Sequence, residues 1–514
     1  MVQTESKAYR QRWIALAFLG ISLLIISLDN TVLNVALPSI AKDLGSSASG
    51  LQWVVDAYVL VFASLLLTMG TISDRIGRKR VLQGGLVLFG IGSLAAALST
   101  SSGMLIGCRA FQGIGAATIM PSTLSILTAT FRDPAERPKA IAIWAGIFSL
   151  GMGIGPVIAG FLLNHFHWSS VFFINLPVVA IALIGGHLFM EDSRDETAPR
   201  PDIPGVILSI AGLFALVYGI IKAGEKSWTT NDVLWSMMIG VALLAIFAWW
   251  EKRTKTPMLP LAFFKNMSFT GANIALTLVM FSMFGSMFFM SQYFQSVQGY
   301  TPLQAGLRIL PMAPISMVTA INSARVASRI GTKMTVSLGI FMAAIGMFYL
   351  SIIAEVNTAY WGVLIGMAIT SAGMGTAMSP ATNSIMGSLP VRKAGVGSAM
   401  NDTTRQVGGA LGVAILGTIM NTTYLHTVGK LSHNPGVALP GPVLDAVRSS
   451  IQSAHIVAQR IPDAALSQKI ADTANKGFVS GMADAFLVAS IIMLVASLVT
   501  LVILPSQVRP AMEQ

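Results

Sequence analysis

Fourteen apolar runs, most close to the length of a bilayer span, restrict what this 514-residue chain can become more than any other feature. About 20 apolar residues in a helix cross the hydrocarbon core of a membrane. The runs fall near 13–36, 52–72, 81–98, 104–127, 141–163, 171–190, 205–223, 232–250, 268–293, 303–324, 334–354, 360–386, 398–420 and 482–504. Only 11% of residues are charged, against roughly a quarter in soluble domains. The chain is therefore read as an all-α polytopic membrane protein, with the lipid bilayer as its surroundings.

The net charge of +11 does not point to nucleic acid, because its placement is one-sided. Lys7, Arg10, Arg12, the Arg75–Arg80 cluster, Arg132, Arg325, Arg329, Lys333, Arg392, Lys393 and Arg509 fall in loops or tails on one side. The opposite short loops hold Lys42, Lys222 and Lys226. The positive-inside rule then places both termini in the cytoplasm. Cys108 is the only cysteine and lies inside a run, which excludes a disulfide framework. The first run continues through Leu37 without a cleavage site, so it is expected to span rather than be removed.

The expected organisation follows from these boundaries. Residues 1–12 form a cytoplasmic tail and 13–190 a six-helix bundle. Residues 191–267 are a linker carrying two further transmembrane helices. Residues 268–505 form a second six-helix bundle with a long external loop, 421–477, and 506–514 a cytoplasmic tail. Leu444, Val447, Ile451 and Ile456, then Leu466 and Ile470, give that loop a helical spacing, read as two short amphipathic helices. An internal repeat supports the two halves. The stretch from Gly70 through Asp74, Arg75 and Gly77 to Lys79 aligns with Ala324 through Ser328, Arg329 and Gly331 to Lys333. Less sharply, Gly113, Gly115 and Pro121 align with Gly373, Gly375 and Pro380.

Chemistry concentrates where charge interrupts the runs. Arg109 lies in Leu105-Ile-Gly-Cys-Arg-Ala-Phe-Gln-Gly113. A guanidinium at that depth costs about 2.5–3.5 kcal/mol on insertion scales and needs an interior partner. Asp29, Asp56 and Asp402 are the clearest candidates. Asp29 is read as a proton carrier beside Arg109, the alternative being a static ion pair. Asp56, with Trp53 and Tyr58, is read as a site for a cationic substrate, using charge and cation–π contact; the alternative is an interfacial acid with an aromatic anchor. Asp402 and Arg405 sit three apart and form either a local pair or a second titrating site. Met280, Met283, Met287 and Met290 recur among Phe281, Phe284 and Phe288, which gives a soft face for varied ligands or an ordinary core stripe. Gln292 and Gln295 end that run. No P-loop is present, and the six histidines are scattered, so neither ATP hydrolysis nor a metal site is expected.

These stretches resemble the major facilitator superfamily along nearly the whole chain. Gly70–Arg80 is similar to the loop signature after helix two, and Leu105–Ala117 to the helix-four signature with Arg109 in its arginine slot. Gly151-Met-Gly-Ile-Gly155-Pro156-Val-Ile-Ala159-Gly160 is similar to the helix-five antiporter signature, with Ala159 replacing a glycine. Leu28–Pro38 resembles the first-helix signature of the 14-spanner drug:proton antiporters, of QacA-like and EmrB-like type.

The resemblance implies two six-helix bundles and two extra helices, fourteen in all, working by alternating access in a bacterial inner membrane, with no cofactor beyond the proton gradient. It implies proton coupling through Asp29, Arg109, Asp402 and Arg405. Substrate contact is expected from Asn34, Trp53, Asp56, Tyr58, Met283, Met287, Gln292 and Gln295. Gating is expected from Gly70, Asp74, Arg75, Gly77, Arg78, Gly155 and Pro156. The function expected is proton-coupled multidrug efflux of amphipathic, cationic compounds by a monomer. Two alternatives stay open: export of an endogenous metabolite (amino acid, lipid or siderophore), and a transporter-like receptor without flux.

Overall fold

A computed structural model of the chain describes residues 10–131, 133, 136–194, 200–389, 394–433 and 440–506. Lys7, Arg132, Arg392, Lys393 and Arg509, which enter the charge asymmetry, lie outside these residues, as does most of each tail.

The described residues form helices throughout. The first half contains α1 (Arg12–Leu44), α2 (Ala48–Ile76), α3 (Arg78–Ala97), α4 (Ser102–Thr130), α5 (Arg137–His165) and α6 (Ser170–Phe189). Two helices follow, α7 (Ile203–Glu225) and α8 (Asn231–Arg253). The second half contains α9 (Met267–Gln292), α10 (Pro302–Ile309), α11 (Met312–Ile353), α12 (Tyr360–Gly387), α13 (Ala394–Gly429), the short α14 (Gly441–Ser449) and α15 (Ile451–Arg460), and α16 (Ala464–Ile503).

Local chemistry sets many of the helix ends. Ser47 and Ser101 accept the amides of Gly50 and Met104 at the starts of α2 and α4, satisfying donors that a helix start leaves orphaned. Thr301 and Gln304 form a reciprocal capping box at α10. Gly45 ends α1 in the left-handed conformation, φ 61°.

Thirteen helical stretches among the described residues are long and apolar enough to cross a membrane. One of them, Pro302–Ile353, has 52 residues and is broken at Gly331, whose φ of 83° and ψ of 157° lie outside the helical region. Gly77 at φ 131° makes the equivalent break between α2 and α3. The repeat extends to the hydrogen bonds. Arg78 N–H donates to the Ser193 carbonyl at 2.9 Å and Thr332 N–H to the Ser506 carbonyl at 3.1 Å. In each half, the residue after the positive-φ glycine thus binds the segment following the half's last helix.

Small residues bring the helices together. Gly115 lies against the backbone of Gly85 and Phe89, and Gly373 against Gly339 and Ala343. Gly408 and Gly412 meet the carbonyls of Thr277 and Phe281. In a bilayer, close packing of this kind replaces the hydrophobic drive.

The segment 421–477 is more helical than its sequence implies. α13 continues to Gly429, α16 begins at Ala464, and α14 and α15 fold between them. The residues Leu466 and Ile470, read as a separate amphipathic helix, are the first turns of the 40-residue α16. Tyr424 donates to the Val447 carbonyl at 2.8 Å, and Gln452 donates to Ser296 Oγ at 3.1 Å and Gln292 Oε1 at 3.3 Å. The two short helices are therefore pinned onto the bundle.

α7 packs on both halves, touching α2 and α13, and α8 packs on α7. The halves themselves meet toward the face opposite the basic loops. There Gln52 donates to the carbonyls of Val413 and Ala414 at 3.2 and 3.3 Å. Gln295 donates to the Val35 carbonyl at 2.9 Å.

Candidate functional site: a buried ion pair and a seal opposite the basic loops

α1 and α4 carry the two charges that dominate the first half. Arg109 Nη1 donates to Asp29 Oδ2 at 2.6 Å, with the two side chains 1% and 3% exposed. The same nitrogen donates to Gln112 Oε1 at 2.7 Å, and Arg109 Nε to the Val54 carbonyl at 3.2 Å. The guanidinium lies 4.2 Å from the Tyr58 ring centroid, where the ring's negative face stabilises a cation. Asp29 Oδ1 accepts from Gln112 Nε2 at 3.0 Å and from Asn175 Nδ2 at 3.4 Å. Asn175 is fixed in turn by Ser93 Oγ at 2.9 Å, and that hydroxyl donates to the Phe172 carbonyl. Each charge is thus paired and further hydrogen-bonded, as a charge removed from water requires. A proton added to Asp29 would replace an acceptor with a donor facing Arg109, and the network would have to rearrange. Gln112, Asn175 and Ser93 were not among the residues picked from sequence. An i, i+3 glutamine on the arginine's own helix was the one signal available for Gln112.

A second set of polar groups lies on the neighbouring faces. Both carboxyl oxygens of Asp56 are buried and have no hydrogen-bond partner among the described residues. The same holds for Gln52 Oε1, the Tyr58 hydroxyl and Asn34 Oδ1, while Asn34 Nδ2 donates to the Asn30 carbonyl at 3.1 Å. Gln52 and Asp56 are four apart and share a helix face, the face on which Gln52 reaches α13. Leaving the Asp56 carboxyl and Gln52 Oε1 unpaired costs about 1–3 kcal/mol each, so this face of α2 is suited to a hydrogen-bonding ligand.

Trp53, Asp56 and Tyr58 do not converge. Trp53 stacks on Phe214 of α7 at 5.9 Å, and Tyr58 turns to Arg109. At 3.6 residues per turn, positions 53 and 58 point about 140° apart, which prevents a shared cage.

In the second half, Arg405 Nη1 is 4.0 Å from Asp402 Oδ1, with side chains 24% and 12% exposed. This is a loose local pair with no bond to the Asp29 network among the described residues. Met280 and Met290 are buried with Phe281, Phe284 and Phe288, whereas Met283 and Met287 keep part of their surface open. Gln292 is covered by Gln452, and Gln295 joins the halves, so neither presents a free amide to the cleft.

The loop at the basic face is bound to its own half. Arg78 Nε pairs with Asp74 at 2.7 Å and Arg80 Nε with Asp192 at 3.0 Å. Lys79 Nζ donates to the carbonyls of His187 and Met190, each at 2.8 Å. A Cβ on Gly77 would stand 2.8 Å from the Asp192 carboxylate, so glycine is required there for space as well as for φ. Gly70 lies near Pro121, and Arg75 is exposed.

On the opposite face, α5 seals against α10. Gly160 lies against the backbone of Pro302 and Leu303, and Gly306 against the Pro156 carbonyl. Gly155 abuts Thr31 of α1. Between α5 and α11, Gly153 lies against Ala313.

Comparison with known proteins places this geometry in context. Residues 19–413 match the family model described as Major Facilitator Superfamily. The multidrug efflux pump LfrA of Mycolicibacterium smegmatis is 34% identical over 487 residues, covering 95% of each chain. The tetracenomycin C resistance and export protein of Streptomyces glaucescens is 32% identical over 98% of this chain and 93% of its own. Among solved structures, a bacterial homologue of the human lysosomal transporter Spinster, inward-facing and unoccupied, superposes with a TM-score of 0.63 at 17% identity, covering 96% of this chain and 98% of its own. A D-xylose–proton symporter gives a TM-score of 0.60 at 14% identity, covering 96% and 98%.

Proposed function

This chain belongs to the major facilitator superfamily, and on that premise we propose that it exports amphipathic cations in exchange for protons. The relatives named for multidrug efflux and for antibiotic resistance and export support the export reading. Counting the stretch broken at Gly331 as two spans gives fourteen, the number of the QacA-like and EmrB-like exporters. Both termini then lie in the cytoplasm of a bacterial cell, the basic face is cytoplasmic, and the state described is sealed outside and open inside.

The observation that carries proton coupling is the Asp29–Arg109 pair with Gln112 and Asn175 around it. In this state Arg109 holds the Asp29 carboxyl at 2.6 Å. When the outer face opens, a proton from outside neutralises Asp29 and releases Arg109. The guanidinium keeps its bonds to Gln112 and the Val54 carbonyl and its seat over Tyr58. Return to the inward-open state lets Asp29 surrender the proton to the cytoplasm and re-form the pair. Asp56, buried and without a partner on the seam, is the group that receives the positive charge of the substrate. Asp402 is a second acid that such a cycle can titrate.

The test is ethidium efflux from proteoliposomes under an imposed pH gradient. Gradient-dependent efflux by the wild type, lost in Asp29→Asn while the variant remains folded, is the expected result. Efflux by the wild type that ignores the gradient would overturn proton coupling. No efflux would overturn the cation-export reading.

A further inference from the structure

We propose that Asp202 and Glu251 form a proton-binding site on the flank of the molecule at the basic face, and that their shared proton ties down the connection from the two extra helices to the second half. The inference does not depend on the export reading.

Asp202 stands one residue before α7, and Glu251 one residue past the apolar run of α8. The two are 6% and 3% exposed. Three of their four carboxyl oxygens have a donor. Asp202 Oδ1 accepts the Gly205 amide at 3.1 Å and Trp250 Nε1 at 2.9 Å, and Oδ2 accepts the same indole at 3.1 Å. Glu251 Oε2 accepts the Leu259 amide at 2.8 Å. Glu251 Oε1 is buried and has no donor among the described residues. It is turned toward Asp202. The two carboxyls stand within hydrogen-bond reach, and a Cβ on Gly205 would meet Glu251 Oε1 and Asp202 Oδ2 together.

Among the described residues no cation pairs with either acid. Arg200, Lys252, Lys255 and Lys265 are exposed, and Arg253 lies over the Trp249 ring at 4.6 Å. On α2, Asp74 is paired with Arg78, and Arg75 is exposed. Two buried carboxyls in contact without a cation cannot both ionise. Asp202 keeps the charge, because it caps the positive end of α7 and also accepts from Trp250. The proton therefore belongs on Glu251 Oε1, which donates it to Asp202 Oδ2. Every oxygen of the pair is then bonded.

The Leu259 bond gives this proton a structural effect. Residues 254–266 link α8 to α9 at the face away from the contacts between the halves. Thr68 Oγ1 of α2 lies 3.7 Å from Met258 Sδ, and Asn266 Nδ2 donates to the Ser388 carbonyl after α12 at 3.3 Å. The connection thus touches both halves, and Glu251 anchors its near end. Loss of the proton to water leaves two adjacent anions, which separate and draw Glu251 off Leu259. The tied form holds one proton more than the released form, so it weakens as pH at the basic face rises. The halves are strapped in acid and freed in alkali.

The test is hydrogen exchange of residues 254–260 in the full-length purified protein, with protection factors taken against the intrinsic rate at each pH. In the wild type, protection should fall by up to about tenfold per pH unit between about pH 6 and pH 9. Glu251→Gln puts a permanent donor opposite Asp202, so its protection should be flat with pH. Asp202→Asn gives an ionised Glu251 a donor and should be flat as well, which keeps the test decisive if one variant packs poorly. Protection in the wild type that ignores pH would overturn the proposal. So would a pH dependence that persists in both variants. Restoration of protection at alkaline pH by added calcium would also overturn it, by assigning the pair to a metal instead of a proton.

Discussion

Asp29 and Arg109 meet at 2.6 Å across α1 and α4, and each holds the other in a site almost free of water. Removing one partner leaves a buried charge unmatched, which typically costs about 3–5 kcal/mol. Arg109→Ala should therefore lower the unfolding temperature in detergent sharply. The double variant Asp29→Asn/Arg109→Gln should recover most of the loss, because no lone charge remains. Equal losses in the single and double variants would show that the pair is not a coupled unit.

Asp56 is predicted to behave in the opposite way. Its carboxyl oxygens have no partner to lose, so Asp56→Asn should leave thermal stability unchanged or raise it. Affinity for ethidium should fall about tenfold, or about 1.4 kcal/mol, read by fluorescence titration of the purified protein. Stability lost together with affinity would mean that the carboxylate supports the fold.

The seal between α5 and α10 depends on two glycines with no room for a side chain. Gly160→Val or Gly306→Val should prevent closure of the outer face and favour the outward-open state. A cysteine placed at Gln295, in a Cys108→Ser background, should then react faster with an impermeant maleimide added from outside. Unchanged labelling would place the outer gate elsewhere.

The contact between α15 and α16 is predicted to respond to pH. His455 of α15 bonds to Asn475 of α16 at 2.9 Å. Burial holds the imidazole below its usual range, opposed by that hydrogen bond, while Lys42 also lowers it. A depressed folded value stabilises the packed state above the ordinary histidine range, and the contribution is lost as pH falls through the depressed value. Protection factors for amide exchange in residues 441–460, taken against the intrinsic rate at each pH, should therefore fall as pH falls from about 7.5 to about 5.5. His455→Gln should remove that dependence. A pH response that persists in the variant would assign it to another group.

Much of this architecture was legible in the sequence because apolar length and charge placement are one-dimensional signals. The spans fall where the apolar runs do, and the equivalence of Gly77 and Gly331 was visible in the repeat. Both glycines proved to be positive-φ breaks, followed by matching hydrogen bonds. Arg109 announced its need for an acid, and Asp29 meets it.

What stayed hidden depends on which way a helix faces. Asn175 and Ser93 are neutral polar residues on helices remote in sequence, and nothing local marks them as props for Asp29. Trp53 faces α7 because that extra helix packs against α2, a placement that no run length encodes. The methionine stripe divides, with Met283 and Met287 partly open and Met280 and Met290 in the core, because the helix has neighbours on both sides. The start of α16 at Ala464 was missed because its first turns are polar and stand beyond the apolar run.

The central claim is that Asp29 exchanges a proton while a cation moves the other way. The most direct measurement records proton flux with a pH dye trapped in proteoliposomes, driven only by an ethidium gradient. The wild type should move protons against the ethidium flow, and Asp29→Asn should move none while still binding ethidium. Proton flux of wild-type size in Asp29→Asn would contradict the account and transfer the coupling to another acid.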